Sequence, residues 1–119
     1  MGTRIVTLRG AGTDAADDDY AAIFSKSRIV AVYMTDADGI TANDTNYMSF
    51  LLKAGTTTLF TRATTVAGTG FAAGTPQAGP SGAVGTVLAA GSKLHLDCNK
   101  SGTGPAYNMR CEVLIEEIQ

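Results

Sequence analysis

The sequence predicts an all-β protein, an antiparallel β-sandwich of about eight strands. Three observations lead there. The segments LAAGSKLHLDC and YNMRCEVLIEE near the end of the chain alternate apolar and polar residues with a period of two. Gly, Pro, Asn and Asp clusters punctuate the chain at about the 8 to 12 residue spacing of sandwiches and barrels. The 119 residues suit a single domain, long enough to bury roughly two-thirds of the unfolded surface.

Residues 3 to 9, TRIVTLR, form the first strand candidate, with Ile5 and Thr7 opposite Val6 and Leu8. GAGTDAADDDY follows and reads as an acidic loop with one helical turn started by Thr13 or Asp14, so that residues 1 to 19 form an N-terminal arm and loop. This arm is either an ordinary edge strand or a segment that adds itself to a neighbouring sheet, and Thr3 and Arg4 are its candidate contact residues. YAAIF and RIVAVYM are the next strands, split at SKS; the β-branched and aromatic content of the second favours strand over helix.

TDADGITAND is a polar loop whose Asp36 and Asp38 are candidate contacts. In TNYMSFLLK, Met48, Phe50 and Leu52 share one face and Tyr47, Ser49 and Leu51 the other, and TTTLFTRAT beyond Ala54 and Gly55 is its hairpin partner. Residues 65 to 83, TVAGTGFAAGTPQAGPSGA, are too rich in Gly, Ala and Pro and too long for an ordinary hairpin connection; they read as a flexible insertion. Phe71 within it either anchors on a partner or folds back onto its own domain, and Pro76 and Pro80 join it as candidate contacts. VGTVLAA resumes the sheet. The two terminal alternating segments then close it as a hairpin around NKSGTGPA, with Gly102, Gly104 and Pro105 in the turn.

Charge and composition narrow the function. The net charge is −2 and the nine Lys and Arg are scattered, which argues against a groove that tracks phosphates, so nucleic acid is not an expected partner. No apolar run approaches the ~18 residues that cross a bilayer, and no signal-peptide core is visible, so no membrane is expected and synthesis in the cytoplasm is. Met-Gly opens like a myristoylation site, but Val6 stands where Ser or Thr belongs. Cys98 and Cys111 fall on the inward face of the closing segments and read as free, buried thiols, a cross-strand disulfide being the alternative.

Candidate chemistry is sparse. His95 is the single histidine, and strand parity turns it away from Cys98, which breaks a Cys/His metal pair; it reads as solvated or at an interface. GPSG at 79 to 82 lacks the spacing of a nucleophile elbow and reads as a turn. Asp14, Asp17, Asp18 and Asp19, and separately Asp36, Asp38 and Asp44, crowd carboxylates without the order of a calcium loop; they read as solvated acidic loops. No cofactor, metal or catalytic residue is expected.

NDTNYMSFLLKAGTTTLFTRAT, the long small-residue insertion, and VLAAGSKLHLDCNKSGTGPAYNMRCEVLIEE together resemble small virion structural proteins of tailed bacteriophages. There an Asn-Thr strand ends in a Leu-x-Lys-x-Gly turn, and a Leu-Ala-Ala-Gly-Asp-x-Leu strand precedes a Gly-Thr-Gly turn and a Val-Glu-Val-like strand. The resemblance covers roughly residues 20 to 117, with Ser92 standing where the pattern has Asp. It implies a jelly-roll-like sandwich that assembles, often as a homotrimer, on the major capsid protein at the capsid surface as decoration or cement, or within a fibre. The alternative, from another class, is a glycan- or receptor-binding module of a fibre or cell surface. The sequence has no Trp for a sugar to stack on, and an exposed coplanar tyrosine pair is what that alternative requires.

Overall fold

The computed structural model describes residues 2–12, 19–79 and 81–119. Among the described residues nine strands form two antiparallel sheets: β1 (Thr3–Gly12), β2 (Asp19–Ala22), β3 (Ser27–Asp36), β4 (Tyr47–Ala54), β5 (Thr57–Ala63), β6 (Gln77–Ala78), β7 (Val87–Leu88), β8 (Lys93–Ser101) and β9 (Tyr107–Glu117). The first sheet runs β1-β9-β3-β6, with β7 also on β3; the second runs β2-β8-β4-β5. The pairs are nested: β4 with β5 innermost, then β3 with β6 and β7, β2 with β8, and β1 with β9 outermost. Rolling that nested ribbon sets β9 beside β3 and β8 beside β4, which is the strand order of a jelly roll. The sandwich expected from the sequence is therefore present. The extra strand is β6, inside the stretch read as an insertion.

The core lies between the sheets. Val6 and Leu8 of β1, Ile29, Val32 and Met34 of β3, and Met109, Cys111, Val113 and Ile115 of β9 face Met48, Phe50 and Leu52 of β4 and Leu94, Leu96 and Cys98 of β8. Fully burying each large side chain contributes about 1.5–3 kcal/mol. Phe50 meets Phe71 and Tyr107 edge-on, with ring centroids 6.2 and 5.7 Å away. Alternation held where the sequence showed it, but β3 departs from it: its register on β9 shifts between Ile29 and Ala31, so Val30 is an extra residue and the parity flips. Val30, Ala31 and Tyr33 consequently all point away from the core.

The closing hairpin is a correction. The last two strands do not pair; β8 lies between β2 and β4, and β9 between β1 and β3. The connection is an arch that steps from one sheet to the other. Periodicity assigns each residue a face but says nothing of which strand lies alongside, and two inward faces can look at each other across the core as well as from neighbouring strands. The arch is tied down by Asn46, whose Oδ1 accepts from Thr103 N at 2.9 Å and Thr103 Oγ1 at 3.0 Å. Gly102 there has φ +66°, and a Cβ on it would sit 2.3 Å from Asn46 Oδ1, so the turn requires glycine. Cys98 and Cys111, buried and not joined by a disulfide, thus lie on opposite sheets.

The described part of residues 65 to 83 is fastened to the fold at several points, although most of its side chains are exposed. Ile40 and Phe71 exchange backbone hydrogen bonds at 2.9 and 2.8 Å, and Gly70 passes so close that a Cβ would lie 2.1 Å from the Ile40 carbonyl oxygen. Gly79 N donates to Val32 O at 2.8 Å, and Ser81–Ala83 forms one 3-10 turn that tucks Ala83 into the core. Of the expected strand VGTVLAA only Val87–Leu88 is extended.

Candidate assembly surface

The outer face of the β1-β9-β3 sheet carries one apolar row among polar and charged ones. Register places Ile5, Leu114 and Ala31 in one row across three strands, and Thr7, Glu112 and Tyr33 in the next. Ile5 is 60% exposed and Tyr33 50%. With Pro76 they border a shallow cleft of about 350 Å³ lined by Ile5, Ala31, Tyr33, Pro76, Glu112 and Leu114. Ion pairs flank it on both sides: Arg110 Nε donates to Glu112 Oε1 at 3.1 Å and Arg28 Nε to Glu116 Oε1 at 3.0 Å. An apolar centre with a charged, internally neutralised rim is the arrangement of a protein-binding surface.

The candidate contact residues fall unevenly around this surface. Pro76 lines the cleft, and Thr3 lies exposed on the same sheet beside Glu116. Arg4 turns toward the sandwich edge, where its guanidinium lies 5.7 Å from the Phe24 ring centroid and donates to Ala22 O at 3.4 Å. Asp38 is exposed, but Asp36 is fully buried, a correction to its reading as part of a solvated loop. Its carboxylate accepts from Asn108 N at 2.8 Å and Asp38 N at 3.1 Å, holding the loop against β9 instead of offering a contact. Phe71, 5% exposed, takes the second of its two alternatives and folds into its own core. Pro80, Asp14, Asp17 and Asp18 lie outside the described residues. Asp19 is committed internally, its Oδ2 accepting from Arg9 N at 2.7 Å.

Ile5, Ala31, Tyr33 and Leu114, which make most of the surface, were not among the sequence candidates. Their signal was present as apolar residues at outward positions, but the β3 bulge hid the parity of Ala31 and Tyr33.

The opposite sheet carries the other chemistry. His95 is 8% exposed, not solvated: Tyr20 stacks on its ring with centroids 4.1 Å apart, and Lys93 Nζ lies 4.7 Å from the Tyr20 centroid. Lys53 Nζ bonds Asp97 Oδ2 at 2.7 Å nearby. Burial pushes the Asp97 carboxyl up, but the hydrogen bond and charge of Lys53, with His95 and Asn99, outweigh it and hold it below the usual carboxylate range. The exposed tyrosines do not form a pair: Tyr33 is on the outer face of one sheet, and Tyr20 on that of the other. Tyr47 pairs with Ser101, far along β8 from the His95 position opposite Tyr20. Among the described residues no group of His, Cys, Asp and Glu could hold a metal ion.

No family model, no curated protein and no solved structure matches the chain.

Proposed function

We propose that this chain is a structural protein of a tailed-phage virion, a decoration or cement protein that binds the outer surface of the assembled capsid and strengthens it without catalysis. The observation that supports it best is the apolar row Ile5, Leu114 and Ala31 with Tyr33 and Pro76 on the outside of the jelly roll. A sheet face of this kind stays exposed in a protein that has something to cover it. The jelly-roll strand order agrees with the resemblance carried by residues 20 to 117.

The mechanism is mechanical. A shell fails where its subunits part, and a protein that binds only the joined arrangement stabilises it by about RT ln(1 + [L]/Kd) per site. Repeated copies gain effective concentration at every contact after the first. Such clamping requires area and repetition, which an apolar face with an ion-paired rim supplies.

The test is co-sedimentation with assembled capsids of the same virus, with Tyr33→Asp as the probe of the face. Wild type is expected to pellet with capsids and raise the temperature at which they rupture; Tyr33→Asp, at a half-exposed position, is expected to fold normally and lose both effects. Wild type that leaves capsids in the pellet and stays in the supernatant rejects the reading.

A further inference from the structure

The strand edges of the two sheets are not equally protected. β2 is a four-residue strand, β6 and β7 have two residues each, and the β4–β5 register shifts between Leu52 and Lys53. Short edges and bulges are how sheets avoid edge-to-edge pairing. β1 has ten residues in unbroken register with β9, and its Thr3–Thr7 stretch contains no proline and no bulge. Arg4, the charge in that stretch, is turned aside to Phe24 and Ala22.

Parity identifies which backbone groups this edge presents. Gly2 O accepts from Glu117 N, so even-numbered residues direct their backbone groups to β9. Arg9 N, capped by Asp19, points the other way, and so do Thr3, Ile5 and Thr7. Among the described residues nothing pairs with the edge between Thr3 and Thr7.

We infer that two copies of this chain join through β1, antiparallel about a two-fold axis at Ile5. That register pairs Ile5 with Ile5 of the second copy and Thr3 with Thr7, each pair exchanging reciprocal N–H···O bonds. Threonine pairs and β-branched pairs across strands are favourable, and no like charges meet. The apolar row then runs unbroken from Ala31 and Leu114 through both Ile5 side chains into the partner's copy of the same row. The sheet becomes continuous and the surface proposed above doubles. This contact goes beyond the capsid reading and stands without it. It also differs from the threefold assembly implied by the resemblance.

Light scattering and oxidative cross-linking on the full chain test it. A mass of two chains is expected, with Ile5→Lys raising the dimer dissociation constant at least tenfold, because two ammonium groups would face each other on the axis. Ile5→Cys is expected to form a cross-linked dimer, since directly opposed residues of a hydrogen-bonded pair lie at about 5.5 Å between Cα atoms, within disulfide reach. Thr61→Cys, on exposed β5, is the control and is expected not to cross-link. A monomer at every soluble concentration, a mass of three chains, or a dimer indifferent to Ile5→Lys and not linked by Ile5→Cys overturns the inference. So does cross-linking of Ile5→Cys to capsid protein in place of a second copy. A dimer that ignores capsids leaves the pairing intact and removes only the capsid reading.

Discussion

The guanidinium of Arg62 lies over the ring of Phe71, 4.5 Å from its centroid, and its nitrogens reach the backbone on either side. It donates to the carbonyl oxygens of Gly68, of Thr69 at 2.8 Å and of Gly70 at 3.2 Å, and to Gln77 Oε1 at 2.9 Å. One side chain on β5 therefore gathers the segment between β5 and β6 and presses Phe71 onto Phe50. Burial lowers the Arg62 pKa, yet a guanidinium remains charged at neutral pH. Thr69, held here with φ 64°, adopts a conformation that a β-branched residue rarely takes, and both its carbonyl and its hydroxyl bond Arg62.

Arg62→Ala removes those bonds together with the ring contact, and is expected to lower unfolding free energy by about 1–3 kcal/mol. Limited proteolysis is expected to open within residues 65 to 78 first. Arg62→Lys should recover little of the loss, because an ammonium lacks the planar fork that reaches several carbonyls at once. Urea denaturation of the three proteins measures it; full recovery in Arg62→Lys would mean that charge alone holds the segment.

The thiols give a second prediction. Burial, with the Glu112 charge adding to it, pushes Cys111 up to about 12, and the thiolate is the reactive form. Native protein is expected to leave Cys111 unlabelled by a thiol reagent at neutral pH, while denaturant exposes both Cys111 and Cys98. Rapid labelling of Cys111 in the native state would show that the sheets part far more often than this core allows.

Acid should weaken the outer face of the second sheet. The Asp97 carboxyl titrates below its unfolded value of 3.8, so the unfolded chain binds the proton first and stability falls as pH drops through that window. Above it the contribution is fully present. Wild type is expected to exceed Asp97→Asn by about 1 kcal/mol near pH 6, the order of a part-buried ion pair that keeps some contact with water, and the gap should close near pH 2. A gap that persists unchanged at low pH would assign the effect of the substitution to packing.

What was legible in the sequence was the face of most residues in strands that run without a bulge. Met48, Phe50 and Leu52 against Tyr47, Ser49 and Leu51, and the closing alternation of Met109, Cys111, Val113 and Ile115, all stand as the period of two dictated. The β4–β5 hairpin was legible too, because its turn is local. Neighbours were not: β8 and β9 adjoin in sequence and separate in space, and nothing in alternation distinguishes an arch from a hairpin. The stretch from residue 65 onward looked loose because its small residues lack packing bulk, whereas Gly70 is small so that it can pass against Ile40. Its organiser, Arg62, lies outside it. At the surface, chain position directed attention to loops, while the apolar row emerges only when β1, β9 and β3 are laid side by side.

The place of β9 between β1 and β3 bears on biosynthesis. The two strands it joins, β1 and β3, precede it by most of the described strands, and their common partner is made after all the others described. During translation the β4–β5 hairpin can close at once and β8 can complete its own sheet, but β1 and β3 wait with their apolar faces uncovered. Loop closure on that scale is slow compared with hairpin formation. The finished sheet therefore forms only once β9 has been made, and a chain stalled before residue 107 carries the strands most prone to stick to other chains.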